Sequence, residues 1–419
     1  MPKSIVIVGG SLAGLMQGLQ CKRRGENVVI LEQDPRNERC SNEAGIAFGS
    51  HLGELLTKLD RTGVPVAIPC EYNYISFRKY SRAKVSKAER SLSSWGLLYR
   101  VLRANYDGLP SSVCPSPPAP LEGDGRAEYR PGKRVTDLQH ANDGTVTVHF
   151  EDVETKKRAT LEADLVIGAD GVHSTVRKLV AAPAVKKYSG YVVWRGIVPY
   201  RTLSAESQLH FSNRVVSNVL GGSYCICYVI PSDNGGFTPE QRLLNWLVYY
   251  NVSEDSSEMK DIFTDINGRH HHNTVPRGLV RPEVWERIRA KFTSRMAEPV
   301  ADLLFKTDSP FVTKVNDVLC TTPSFHEGRV VLVGDALTTI RPHIGHSAEQ
   351  AAFHTLSLAK VWQGEKTQAA WSREVRNHAL RFFTLSRVVG HFGQGPVLTF
   401  LKSLFSYIWL LIRLKFGRK

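Results

Sequence analysis

The run Ile5-Val6-Ile7-Val8-Gly9-Gly10-Ser11-Leu12-Ala13-Gly14, continued by helical spacing from Leu12 to Arg24 and an apolar stretch from Asn27 to Leu31, decides the fold. A strand, a glycine turn, a helix and a second strand make a βαβ unit, and such units build parallel sheets covered by helices. A turn in that position lets a pyrophosphate approach backbone N–H groups and sit at the positive end of the helix. Glu32 closes the second strand 18 residues after Gly14, where a carboxylate can accept hydrogen bonds from a ribose. The middle glycine of the dinucleotide-binding fingerprint is Ser11 here, and its side chain narrows the gap to the phosphate.

Two further turns follow far along the chain. Asp164-Leu-Val-Ile-Gly168-Ala-Asp170-Gly171 runs into Ser174-Thr-Val-Arg177. Arg329-Val-Val-Leu-Val333 is an apolar run of the kind a buried parallel strand needs, and Gly334-Asp335 closes it. An Asp-Gly turn or a Gly-Asp strand end is common alone; after the first motif, in this order, the set is specific. Strands are also expected at Thr145 to Phe150 and Leu161 to Ile167, and a helix at about Ser347 to Trp362. Residues 76 to 134 read as a basic, proline-rich loop excursion with helical spacing only from Trp95 to Asn105. Residues 186 to 310 alternate in Tyr191 to Pro199 and Tyr224 to Ile230 and carry two helical stretches, which predicts a second, sheet-containing domain.

A chain of 419 residues, 42% hydrophobic and 22% charged, excludes disordered and collagen-like classes. Its seven cysteines (21, 40, 70, 114, 225, 227, 320) are scattered and form no CxxC pair, which fits a reducing compartment. Cys225 and Cys227 share one face if they lie on a strand, and free cysteines usually act as small core hydrophobes. Met1-Pro-Lys-Ser runs straight into the first strand with no separate apolar leader, so a cytoplasmic start is expected. The net charge of +14 is concentrated: residues 360 to 419 hold eleven Lys/Arg against two Asp/Glu. That distribution argues against nucleic acid, which calls for basic residues interleaved with aromatics over one surface. Val397 to Ile412 is apolar apart from Lys402 and a few small polar residues, and ends in Arg413-Leu-Lys415-Phe-Gly-Arg418-Lys419. Sixteen residues fall short of the about 20 a bilayer span needs. The segment is therefore either a helix lying in a membrane interface, basic end on anionic headgroups, or a last helix packed on the protein body. His270-His271-His272 diverge if extended and have no cysteine or carboxylate cluster beside them, so no metal site is expected. Gly393-Gln-Gly395 follows a helical segment rather than a strand, leaving no second dinucleotide unit.

The three turns resemble the GxGxxG, DG and GD fingerprints of flavoprotein hydroxylases with the p-hydroxybenzoate hydroxylase fold. Ser94-Trp-Gly-Leu-Leu-Tyr-Arg100, Trp194-Arg-Gly196, Leu244-Asn-Trp246 and Arg341-Pro-His343 are similar to the 2,6-dihydroxypyridine 3-monooxygenase branch, which Ser11 also resembles. The likeness covers roughly residues 4 to 395. It implies an α/β fold: a Rossmann-like FAD-binding domain of the GR2 type (1–75, 95–185 and 310–395), an interleaved sheet-containing substrate domain (76–94 and 186–309), and a basic apolar C-terminal helix (396–419). It implies FAD held by Gly9, Ser11, Leu12, Ala13, Gly14, Glu32, Gln33, Arg100, Val135, Asp170, Gly334, Asp335, Pro342, Gly345 and His346. Within that set, Arg100 would neutralise the pyrophosphate and Asp335 would take the ribityl hydroxyls. The helix after Pro342-His-Ile-Gly345-His346 would offer its positive end to reduced flavin.

The implied activity is monooxygenation. NADH or NADPH reduces FAD, O2 adds to give a flavin C4a-hydroperoxide, and an electron-rich aromatic or heteroaromatic ring is hydroxylated. His343, His346, Tyr224 and Trp194 are candidates at the chemistry, and Tyr228 at the substrate lining. Epoxidation of a lipophilic substrate is the alternative, and a non-catalytic FAD-binding protein ranks below both. Trp194-Arg-Gly-Ile-Val-Pro199 lacks the second tryptophan typical of halogenases. The sequence leaves open a homodimer and a peripheral membrane contact through 397–419.

Overall fold

The computed structural model describes residues 3–39, 41 and 43–416, so Cys40, Arg418 and Lys419 lie outside the described residues. The opening unit is β1 (Ser4–Val8), α1 (Leu12–Lys22) and β2 (Asn27–Leu31). There follow β3 (Gly45–Phe48), α2 (Ser50–Leu59), the hairpin β4 (Ile68–Phe77) and β5 (Tyr80–Ser94), α3 (Trp95–Asp107) and β6 (Ala127–Arg130). A meander of β7 (Lys133–His140), β8 (Val146–Asp152) and β9 (Arg158–Ala163) leads to β10 (Leu165–Gly168) and α4 (Thr175–Leu179). The middle of the chain holds β11 (Ala184–Pro199), α5 (Ala205–Phe211), β12 (Arg214–Val219), β13 (Tyr224–Ile230), β14 (Leu243–Asn251) and α6 (Ser257–Ile262). Then come β15 (Thr274–Val275), α7 (Pro282–Thr293), α8 (Glu298–Phe305) and β16 (Phe311–Cys320). The last part is β17 (Ser324–Phe325), β18 (Val330–Leu332), β19 (Thr338–Thr339), α9 (Ser347–Trp362), α10 (Gln368–Gln394) and α11 (Val397–Phe416).

The described residues form three sheets. The first, ordered β17-β18-β10-β1-β2-β6, is parallel from β18 to β6. Its inner strands β1, β10 and β18 are buried on both faces, which is why Ile5 to Val8 and Val330 to Val333 are continuously apolar. The second, a large mixed sheet, runs β15-β16-β11-β14-β13-β12-β4-β5-β3, with β19 on β16. It takes in β3, β4 and β16, segments that the sequence reading groups mainly with the first domain. The third is the antiparallel β7-β8-β9. One core surrounds the first sheet, and two others cover opposite faces of the large one. Strand alternation sorts them: Val192, Trp194, Cys225 and Cys227 face one way, toward α7 and α8, and Tyr191, Val193, Tyr224 and Tyr228 face the other.

Three expectations need correction. Leu161 to Ile167 is not one strand, because β9 ends at Ala163 in the third sheet and β10 begins at Leu165 in the first. Asp164 makes the crossing, its carboxylate accepting the Ser4 N–H at 2.9 Å and its N–H donating to the Ser4 carbonyl at 2.8 Å. An unbroken apolar pattern cannot reveal a change of sheet. The excursion from 76 also contains the fifteen-residue β5, whose Lys84, Ser86, Lys87 and Glu89 are exposed and so lack the apolar alternation of a covered strand. The loop proper begins after α3, whose first turn is capped by Ser94 accepting the Leu97 N–H at 3.3 Å. Finally, residues 186 to 310 hold four helices rather than two; α5 and α6, with seven and six residues, are too short to register as a period.

Candidate active site

Register brings the three turns together. Val8 pairs with Leu31 and with Gly168, and Gly168 pairs with Leu332, so all three turns leave the carboxyl ends of adjoining parallel strands. This is where open α/β sheets bind their ligands. Gly9 has φ +104°, and a Cβ there would lie 2.5 Å from the Ala169 carbonyl oxygen. A Cβ on Gly14 would lie 1.9 Å from the Gly9 carbonyl oxygen, so helix and turn touch only because both lack side chains. The cleft above them, about 320 Å³, is lined by Gly9, Ser11, Glu32, Gln33, Val135 and Asp170 from the expected set. Leu12 is buried in the first turn of α1, and Ala13 faces Gly334, whose added Cβ would stand 3.1 Å from it.

The acidic groups divide in role. Glu32 is buried, its carboxylate accepting the Gly10 N–H at 2.8 Å and the Asp34 N–H at 2.9 Å, so it fixes the turn as well as facing the cleft. Asp170 accepts the Ser174 hydroxyl at 2.5 Å and the N–H groups of Thr175 and Val176 at 2.6 and 3.1 Å. Burial nevertheless raises its pKa. Arg177 joins the second turn to the third, donating to the Val172 carbonyl at 2.8 Å and the Ala336 carbonyl at 2.6 Å. Arg100 is not on the cleft wall. It pairs with Glu38 at 2.7 Å and donates to the Asp233 carbonyl at 2.8 Å. Arg39, which no motif in the sequence marks, stands on the wall with Lys133 and Arg134.

Asp335 ends the third turn, and its Oδ1 is enclosed with no hydrogen-bond partner. Burial alone pushes its carboxyl up to about 6. An acceptor held this way awaits hydroxyl donors, and ribityl hydroxyls fit it.

A second cavity of about 230 Å³ lies against the large sheet. Ile46, Trp95, Val215, Ile226, Tyr228 and Leu247 give it apolar and aromatic walls, and residues Pro342 to Ala348, including Gly345 and the first turn of α9, close one side. Arg90 and Arg195 also reach it, and among the described residues neither guanidinium has a carboxylate partner. Trp194 does not line it. Its ring lies on the opposite face, 5.7 Å from Trp285, and that same alternation turns Arg195 inward. Tyr224 stands just outside the lining, with its hydroxyl on Nδ1 of His343.

His343 is buried between two phenols, its Nε2 2.9 Å from the Tyr191 hydroxyl, with the Tyr249 ring 4.4 Å away. Burial and the nearby Arg341 charge hold its pKa well below the usual imidazole value, so it is neutral. Arg341 is itself held by Asp317 through two contacts of 2.7 and 2.6 Å. Two glycines of α10 make room: a Cβ on Gly390 would stand 2.5 Å from His343 Nε2, and one on Gly393 would stand 2.3 Å from the Tyr224 ring. His346 precedes α9, stacks on Phe382 at 3.7 Å, and burial lowers its pKa to about 4. Glu349, in the first turn of α9, accepts N–H groups of Gly49, His51 and Leu52 at 2.9, 2.8 and 3.1 Å. Burial pushes its pKa up, but those bonds and the His51 ring outweigh it and hold the carboxyl at about 2. Of the histidine triplet, His271 is tied to Asp265 at 2.8 Å.

Known proteins align with this geometry. A family model described as FAD binding domain-like matches residues 188–317, from within β11 to within β16. The 2,6-dihydroxypyridine 3-monooxygenase of Paenarthrobacter nicotinovorans is 28% identical over 85% of this chain and 82% of its own length. The 6-hydroxynicotinate 3-monooxygenase of Bordetella bronchiseptica is 25% identical over 92% of this chain and 90% of its own. The solved 2,6-dihydroxypyridine-3-hydroxylase of Arthrobacter nicotinovorans superposes with a TM-score of 0.76 at 23% identity, covering 94% of each chain, and so has the same fold.

Proposed function

We propose that this chain, a homologue of the FAD-dependent aromatic hydroxylases, hydroxylates an electron-rich aromatic or heteroaromatic ring that carries an anionic substituent, using NAD(P)H and O2. The observation that carries this reading is the meeting of three turns at adjoining strand ends, with the unpartnered Asp335 oxygen beside them. Bound FAD supplies the hydride acceptor and the oxygen-activating centre. The chain's own residues do the rest. Gly9, Ser11, Ala13 and Gly14 bring backbone N–H groups to the pyrophosphate, Glu32 takes a ribose, Gln33 and Val135 flank the adenosine, and Arg39 balances phosphate charge. Asp335 accepts from the ribityl chain. The segment Pro342 to His346 and the N-terminus of α9 present N–H donors and a positive dipole to the negative edge of the reduced ring.

The substrate ring lies among Ile226, Tyr228 and Leu247, whose apolar and aromatic side chains can displace water from it. Arg195 and Arg90 hold its carboxylate or phenolate and favour the ionised, electron-rich form. His343, neutral and fixed between two phenols, puts a hydrogen-bonded ring on the cavity wall without adding a resident charge. Contact with a membrane surface through residues 397–419, and a peripheral location with it, is part of this reading; α11, in which no residue is buried, supports it.

The test is coupled NAD(P)H oxidation by the yellow protein over a panel of phenolic, benzoic and pyridine acids, with the product's new oxygen traced from labelled O2. A single acid that stimulates oxidation and gains labelled oxygen supports the proposal. Stimulation only by lipophilic alkenes would replace it with epoxidation, and no stimulation by any compound would leave a flavin-binding protein.

A further inference from the structure

Helix α11 sorts its side chains into three sectors. Phe400, Ser403, Leu404, Tyr407, Leu410 and Leu414 recur at the helical period and are the half-buried ones, packed toward α10. His391 Nδ1 lies 3.0 Å from the Ser403 hydroxyl, and the Phe392 and Phe400 rings are 5.6 Å apart, which fastens the first turns. Wound at about 100° per residue, Leu398, Leu401, Phe405, Ile408, Trp409, Ile412 and Phe416 form one stripe facing away from the protein. Their exposures run from 44% at Ile412 to 71% at Phe405. Lys402 and Arg413 fall on the strip between these sectors. A stripe of large apolar side chains this long stays covered in working proteins.

The cleft between α10 and α11, about 1350 Å³, joins the same surface. Leu380, Leu410 and Leu414 give it an apolar wall, and Arg373, Arg376 and Arg413 give it charge. Among the described residues none of these three guanidiniums is paired with a carboxylate, since Glu374 is taken by Lys366. No Asp or Glu occurs in the sequence after Glu374.

The geometry points to an anionic phospholipid surface as the cover. Helix α11 lies in the plane of the interface with its outward stripe in the acyl region, and Arg373, Arg376 and Arg413 hold headgroup phosphates. This rests on the peripheral reading above and specifies its partner and pose. A second copy of the chain would bring another strongly basic tail against this one, so like charges oppose that cover. A spanning pose is long enough at 20 residues, but it would carry Lys402 into hydrocarbon and strip the α10-facing sector from its partner.

Flotation of the full-length flavoprotein with vesicles of phosphatidylcholine alone, or mixed with phosphatidylserine, tests this. At least about tenfold more protein is expected to float with the anionic vesicles, falling as salt rises. The Phe405→Asp/Ile408→Asp variant should lose about tenfold or more in lipid binding, while flavin absorbance reports an intact fold. Arg373→Gln/Arg376→Gln/Arg413→Gln should lose the anionic preference by about fivefold per charge. Absence of flotation with every vesicle overturns this proposal together with the peripheral reading. Equal flotation with both lipids overturns the proposal and leaves that reading standing. Resistance to extraction at alkaline pH would show a span, and a dimer in light scattering that the stripe variant abolishes would show a second copy; either result overturns it.

Discussion

Replacing Asp335 by Asn keeps the shape of the third turn and removes its charge. In the cofactor-free protein burial pushes the carboxyl up to about 6 from near 3.8, with Oδ1 enclosed and no donor beside it. A raised carboxyl pKa means that the folded protein holds more protons than the unfolded chain between pH about 4 and 6. Stability therefore falls as pH rises through that window and stays low above it. At about 1.4 kcal/mol per pH unit, the rise from near 3.8 to about 6 makes the ionised group cost about 3 kcal/mol at pH 8. Asp335→Asn should match the native apoprotein near pH 4 apart from a pH-independent offset, and gain on it by about 3 kcal/mol by pH 8. FAD should respond in the opposite sense, since a charge-assisted hydrogen bond contributes about 1.5–3 kcal/mol, or about ten- to a hundredfold in affinity. Chemical denaturation of apoprotein across pH 4 to 8, paired with FAD titration by fluorescence quenching, reads both arms. Parallel stability curves across that range, or undiminished FAD affinity, would refute the assignment of this carboxyl to the ribityl hydroxyls.

Gly14→Ala places a methyl 1.9 Å from the Gly9 carbonyl oxygen, so α1 must back away from the turn. A stability loss of about 2 kcal/mol or more and colourless protein after gel filtration are expected. Glu349→Gln removes a carboxylate held at about 2, whose benefit is present above the ordinary glutamate pKa and lost as pH falls through about 2. The variant should be less stable by about 1–3 kcal/mol at pH 7 in urea unfolding, with the gap closing between pH 4 and 2. Arg195→Gln should raise KM about tenfold or more for acid substrates and much less for their neutral analogues, measured by coupled NAD(P)H oxidation. Equal effects on both would deny Arg195 its place at the anionic substituent.

The first sheet was legible because its inner strands are buried on both sides, so Ile5 to Val8 and Val330 to Val333 announce themselves as apolar runs ended by glycine. Helix α9 was legible because Ala348, Ala351, Ala352, Thr355, Leu358 and Ala359 bury one face at the helical period, although no side chain caps its start. Strand β5 was not, because its solvent face is lysine, serine and glutamate. The site divided the same way: glycines show in a sequence because nothing else fits beside Ala169 or Gly9, whereas a side chain's direction depends on which face of a strand the core claims. Trp194 drew attention as an aromatic, yet the core took it and left the cavity to Arg195. Alternation along Trp194-Arg195-Gly196 carried that signal once one face was known to be buried. Arg100 and Arg39 show a second limit, since a loop decides which of two cations reaches the cleft.

Strand β10 has β1 on one side and β18 on the other, pairing Ile5 with Leu165 and Val166 with Val330. On a ribosome adding about 5–20 residues each second, the β18 edge of β10 stays open for about 8 to 30 seconds while β11 to β16 of the large sheet are made. Leu165-Val166-Ile167 is then a bare, strongly apolar parallel edge, the kind of surface that chaperones shield. The walls of the 320 Å³ cleft are complete by Thr175, whereas Asp335 is made some way after them, so the flavin half of the cofactor finds its carboxylate only on a largely finished protein and acts as a seal rather than a seed for folding.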